Sequence, residues 1–309
     1  MSTLRRRLTV LAPLAALPLV LTGCAGASGA DDGTVDVLAS FYPLQFVAQQ
    51  VGGDRVDVAS LTPPGAEPHD VELSPAQVAR IDSADLVVYL SGFQAAVDDA
   101  VDQTSPAHVV DAASDTTLMA PAEEDHEGET EEEHEEHGDL DPHFWLDPSR
   151  MPSVVQDVAD TLTEIDPDGA DTFAANAAAL TQRFEELDAQ YAAGLEQCDS
   201  RTFVTSHEAF GYLADRYDLR QVGISGVDPE AEPSPARLAE VEQLVRDEGV
   251  STIFFETLVS PKVAETLAGD LGVQTAVLDP IEGLADPDAD YFSIAGANLD
   301  ALRMALSCS

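Results

Sequence analysis

His69, His143, His207 and Asp279 are spread over most of the chain, yet each stands just past a stretch that reads as a β-strand. His69 ends the turn-rich run Pro63-Pro64-Gly65-Ala66-Glu67-Pro68-His69, and His143 lies in Asp141-Pro142-His143-Phe144-Trp145. His207 follows Thr202-Phe203-Val204-Thr205-Ser206, and Asp279 closes Val273-Gln274-Thr275-Ala276-Val277-Leu278. In parallel α/β sheets ligands bind beyond the carboxyl ends of the strands. Three imidazoles and a carboxylate gathered there would form a closed tetrahedral metal site, and a nitrogen-rich donor set suits zinc better than manganese. Asp279 has a competing reading, because Asp-Pro is also an ordinary strand-ending turn and water or a second carboxylate could stand in for it. Glu256 ends another apolar run and could orient a ligand from behind, or be a solvated acid. His108 reads as structural. Phe144 and Trp145 read as core packing that could also wall the site from water.

The elements that must position these residues follow from periodicity and punctuation. In the first half, strands are expected at 35–40, 56–61, 85–90 and 108–111, alternating with helices at 43–51, 74–82 and 93–101. Pro43 opens the first helix and Gly52-Gly53 ends it, while Ser74 with Pro75 is a capped start. In the second half, strands are expected at 202–206, 221–224, 251–255 and 274–278, with helices at 208–217, 234–247, 261–271 and 291–306. Such alternation argues parallel sheets with crossover helices. Between the halves lie helices at 149–165 and 170–197, broken at Asp166-Pro167. Phe173, Ala177, Leu180, Phe184, Leu187 and Tyr191 line one face of the second, which at roughly 28 residues would span about 42 Å. The expected fold is α/β: two βα lobes, at 35–166 and 198–309, each a four-stranded, mainly parallel sheet with flanking helices, joined by a long rigid helix at 167–197.

The N-terminus reads as an export signal. Arg5-Arg6-Arg7 precedes an apolar run from Leu8 to Leu21 that is too short to span a bilayer and is interrupted by Pro13 and Pro18. Leu21-Thr22-Gly23-Cys24 resembles the lipobox of bacterial lipoproteins, which implies cleavage after residue 23, lipidation of Cys24 and a short tether at 24–34. Two cysteines are then left, Cys198 and Cys308, and in an exported chain they most simply form one disulfide. Two free thiols are the other reading, since spacing alone cannot show proximity.

The chain has 309 residues and a net charge of −44, which becomes −47 once the three leader arginines are lost. Such a surface repels nucleic acid and anionic lipid and draws in cations. The loop at 121–141 holds His126, His134 and His137 among eleven acids between Glu123 and Asp139 and has no periodicity that could bury a face. It is either a solvated charge run or a weak secondary zinc scavenger. No G-x-G-x-x-G or P-loop is present, so nucleotide phosphate is not supported.

P-P-G-A-E-P-H-D-V-E-L-S-P, the acidic His-bearing loop, D-P-H-F-W-L-D-P, T-S-H-E-A-F-G-Y-L-A and L-D-P-I-E-G-L occur in that order. Together they resemble the metal-binding lipoproteins of ABC transporters, and more narrowly the zinc-binding members. The resemblance covers essentially all of the chain beyond the leader. It implies a bilobed fold with a rigid connecting helix and one metal in the cleft, passed to a membrane permease. The family's three histidines fall on His69, His143 and His207, and its carboxylate on Asp279. Manganese members carry glutamate at the third position, so His207 favours Zn2+.

Other classes are a manganese-binding counterpart, a surface adhesin or metallochaperone, and a zinc hydrolase. His207-Glu208 is the only hint of the last, without H-E-x-x-H or a nucleophile elbow. The expectation is therefore not an enzyme but a monomeric, exported, lipid-anchored transport component with a permease as partner.

Overall fold

The computed structural model describes residues 33–114, 116–120 and 140–309. The leader, Cys24, and His126, His134 and His137 lie outside the described residues. Thr34–Ser309 forms one compact unit.

The first sheet contains β1 (Val35–Ala39), β2 (Val56–Ser60), β3 (Leu86–Tyr89) and β4 (Val109–Asp111), in the order β2-β1-β3-β4. Every pairing in it is parallel, with Val35 opposite Val56, Val37 opposite Leu86 and Val87 opposite Val109. The second sheet repeats that winding with β5 (Thr202–Thr205), β6 (Arg220–Gly223), β7 (Thr252–Phe255) and β8 (Gln274–Val277), in the order β6-β5-β7-β8. It too is parallel throughout. In each sheet the chain starts inside, adds a strand on one side and then returns to the other. The switch opens a crevice beyond the strand ends.

Helices α1 (Tyr42–Gly52), α2 (Pro75–Ser83) and α3 (Ala95–Thr104) cross over the first sheet. As the sequence predicts, α2 is capped by Ser74 ahead of Pro75, and the structure adds a capping box in which Ser74 and Gln77 bond each other's backbone. Helix α4 (Met151–Ile165) starts two residues later than expected, because Pro148–Arg150 forms a 3-10 turn that Asp147 caps through the Ser149 amide. Asp166-Pro167 breaks the chain before α5 (Ala170–Leu195), whose predicted apolar face is wholly buried. The second sheet carries α6 (Gly211–Arg216), α7 (Pro235–Glu248), α8 (Lys262–Leu271) and α9 (Tyr291–Ala305).

Helix α5 is seated on both halves. Asn176 donates to the carbonyl of Val51 on α1 at 3.0 Å, and one turn series later the Tyr191 hydroxyl donates to Ala295 on α9 at 2.7 Å. One continuous core unites Val37, Leu44 and Trp145 of the first half with Phe203, Tyr212, Phe254 and Leu302 of the second. Cys198 and Cys308, 110 positions apart, are joined by the expected disulfide, which pins the end of the chain beside α5.

Candidate metal centre

His69 stands on the loop after β2. Both carboxylate oxygens of Glu67 accept from its main-chain amide, each at 3.0 Å. Buried Gln94 donates to the carbonyl of Pro68 at 3.0 Å, holding the loop against the first sheet. The ring meets Phe93 edge-on, 4.7 Å between centroids.

His143 is carried by the segment 141–147, which is bonded to the second lobe at three points. The Tyr212 hydroxyl donates to the Asp141 carbonyl at 2.7 Å, and the Trp145 indole to the Pro280 carbonyl at 2.8 Å. The Tyr291 hydroxyl bonds the Trp145 carbonyl. Asp141 Oδ1 lies 2.8 Å from His143 Nδ1 and accepts its main-chain amide at 2.9 Å, so the ring's Nε2 faces the cleft. A Cβ at Gly211 would stand 2.8 Å from Asp141 Oδ2, so a side chain on the first residue of α6 would crowd that carboxylate. Phe144 and Trp145 are fully buried, and Trp145 also lies 5.2 Å from the His143 ring, so packing and walling coincide.

His207 follows β5 and Glu256 follows β7, the two strands that flank the switch in the second sheet. Glu256 Oε1 lies 2.8 Å from His207 Nδ1 and accepts the Ser206 hydroxyl at 2.9 Å. Glu256 thus has the orienting place that its strand-end position suggested.

The carboxylate that joins these imidazoles is Glu282. Its Oε1 lies 3.0 Å from His143 Nε2, 3.4 Å from His69 Nε2 and 3.6 Å from His207 Nε2. One donor atom from each of the four residues falls within 4.8 Å of the others. Asp279 is not in this group. Its Oδ1 accepts the Ile281 amide at 2.8 Å in an Asx turn, and its Oδ2 accepts the hydroxyl of Thr257, beyond β7, at 2.7 Å, so both oxygens are engaged away from the imidazoles. Asp279 is the first carboxylate past the strand, but the chain turns once more before it delivers Glu282. The sequence signals were present in Asp-Pro as a turn former and in a second acid three residues on. Sequence reasoning also misses Asp141 as an orienting partner, although it is two residues from His143.

The electrostatics are those of a cation site. Burial would raise the Glu282 carboxyl, but bonds from the three imidazoles hold it well below the usual carboxylate range. Burial would lower His207, but Glu256 and Glu282 outweigh it and push the imidazole up to about 10. His143 is shifted in the same direction by Asp141 and Glu282 against its own burial. Despite this pairing, His207 Nε2 and Glu282 Oε2 are buried without a hydrogen-bond partner. Two buried polar atoms left without a partner on residues of one cluster fit a metal ion, which would displace the imidazole proton and take the nitrogen as a donor. His69, 13% exposed at its side chain while Glu282 is fully buried, marks the side open to solvent.

His108, next to β4, is not among these ligand-competent groups. Nor does Glu208 serve them as a base: it accepts from the Gly223 amide and the Arg237 guanidinium, both at 3.2 Å.

Residues 37–305 match the family described as zinc-uptake complex component A, periplasmic (ZnuA). The chain belongs to this family. Among relatives within or near the family, it is 36% identical to the high-affinity zinc uptake system protein ZnuA of Bacillus subtilis, over 95% of this chain and 96% of that one. It is 39% identical to the zinc-binding lipoprotein AdcA of Streptococcus pneumoniae, over 95% of this chain but only 60% of AdcA, so it spans less than two thirds of that relative. Solved structures agree: Zn(II)-bound AdcA of S. pneumoniae superposes with TM-score 0.75 and 37% identity over 89% of this chain and 58% of that one. The laminin-binding protein Lmb of Streptococcus agalactiae, described as an adhesin with metal transporting activity, gives TM-score 0.78 and 35% identity over 88% and 99%.

Proposed function

We propose that this protein captures Zn2+ outside the cytoplasm, in the cleft between its two lobes, and delivers it to the permease of an ABC transporter. His69, His143 and His207 bind through Nε2 and Glu282 through its carboxylate. The observation that carries the reading is the convergence of one donor atom from each of these four residues within 4.8 Å, with His207 Nε2 and Glu282 Oε2 buried and without a hydrogen-bond partner. Three nitrogens with one carboxylate favour zinc over manganese, which prefers oxygen. Asp141 and Glu256 fix ring orientation and tautomer, leaving Nε2 free for metal.

The leader at 1–23 exports the chain, and a lipid on Cys24 holds it to the membrane as a monomer. The lobes at 35–166 and 198–309 then present the cleft to the permease. His126, His134 and His137 act as a weak secondary zinc site that raises the local metal concentration. A zinc titration of the chain from Cys24 onward tests the central claim. One tight equivalent is expected in wild type, and binding should weaken by more than about 100-fold on changing any one of the three histidines to alanine, a larger loss than outer partners usually cause. Tight binding that survives all three substitutions overturns the assignment.

A further inference from the structure

The loop that presents Glu282 is held by far more than a surface turn needs. Asp279 is clamped at its backbone by one buried side chain, Asn298 of α9: the Asp279 amide donates to Asn298 Oδ1 at 2.9 Å, and Asn298 Nδ2 donates back to the Asp279 carbonyl at 2.6 Å. The next carbonyl, that of Pro280, accepts from the Trp145 indole of the other lobe. The Asp279 side chain then bonds forward to the Ile281 amide and sideways to Thr257, beyond β7. Between these anchors Ile281 adopts φ +59° while 1% exposed. A β-branched residue enters that region only when its surroundings force it.

We infer that Asp279 is the positioning residue for Glu282: with Asn298 and Thr257 it bends the chain through Ile281 so that the Glu282 carboxylate reaches all three imidazoles. The role rests on the proposed zinc site and deepens it. A loop free to relax Ile281 would swing Glu282 off its 3.0 Å approach to His143 Nε2. The three histidines would then hold the metal without the carboxylate.

The test uses zinc competition titrations together with the visible absorption spectrum of bound Co2+, which reports the donor set directly. Asp279→Ala should bind zinc at least about tenfold more weakly, the scale of an outer-partner loss. Its Co2+ spectrum should coincide with that of Glu282→Ala. Asp279→Asn keeps an oxygen for the Ile281 amide and should retain the wild-type spectrum. A wild-type spectrum in Asp279→Ala, however unstable the protein, overturns the inference. So does a perturbed spectrum in Asp279→Asn beside an unperturbed one in Glu282→Ala, which would make Asp279 itself a ligand. If Asp279→Ala does not fold, Thr257→Val removes a single hydroxyl: a spectrum shifted toward that of Glu282→Ala supports the role, and an unchanged one refutes it. Wild type that takes Co2+ but not zinc would sink the functional reading alone, with the variants still scored on cobalt.

Discussion

His207 is pushed up to about 10 by Glu256 and Glu282 despite burial that favours its neutral form. Below that value the metal-free site holds a proton on an atom that zinc requires, so metal and proton compete. The sign follows: zinc affinity should climb as pH rises from about 6 through 9, well past the range in which an ordinary imidazole has already lost its proton. Calorimetry at about pH 7.5 in buffers of different ionisation enthalpy should show protons released on binding. Flat affinity across this range would remove His207 from the ligand set. The metal-free fold responds in the opposite sense. A raised imidazole contributes stability that is complete below its unfolded value near 6.5 and is lost as pH rises through the folded one. The melting temperature of metal-free protein should therefore fall between about pH 7 and 10, and bound zinc should blunt that fall.

At the scale of elements, the segment 141–147 belongs by sequence to the first lobe but is bonded to the second through Tyr212, Tyr291 and Pro280. Helix α6 approaches it so closely that Gly211→Ala would place a methyl 2.8 Å from Asp141 Oδ2. The carboxylate has to shift, and the His143 ring with it. We expect zinc affinity to fall about tenfold, with a stability loss of about 1–3 kcal/mol from overpacking. Wild-type affinity in Gly211→Ala would show that Asp141 does not set the ring. Phe184→Ala on α5 should do the reverse. It removes a fully buried ring and about 3–5 kcal/mol of stability, while zinc affinity in the folded protein stays within a few-fold. Denaturant unfolding and titration on the same samples separate the two.

For the whole molecule, one apolar core runs through both sheets, and α5 is bonded to α1 at one end and α9 at the other. Wide opening of the cleft would have to expose that core and break hydrogen bonds at both ends, whereas hinges act where loops or element ends absorb the change. Metal exchange should therefore proceed by movement of loops, first that of His69 on the solvent side. Small-angle scattering of metal-free and zinc-loaded protein should give radii of gyration within about 1 Å of each other. A change of several ångströms would rule out a fixed pair of lobes.

The alternation of short apolar strands with capped helices determined two parallel sheets, because period and punctuation are local properties. Ser74-Pro75, Gly52-Gly53 and Asp166-Pro167 mark boundaries close to those observed for the same reason. The gathering of the histidines was legible in part: His207 lies just beyond β5 and His69 on the loop after β2, where a parallel sheet collects ligands, whereas His143 follows no strand among the described residues and precedes a 3-10 turn at Phe144–Leu146. The fourth group was not. Choosing between Asp279 and Glu282 depends on Asn298 and Thr257, 19 and 22 positions away, and on Trp145 of the other lobe. Those contacts force a left-handed turn on Ile281, a residue that no local rule would place there. The Cys198–Cys308 pairing was legible because only two cysteines remain beyond Cys24, but the core that spans both lobes was not. Sequence spacing can suggest such pairs, but only tertiary structure decides which atoms meet, because the meeting is settled by packing between segments far apart in the chain.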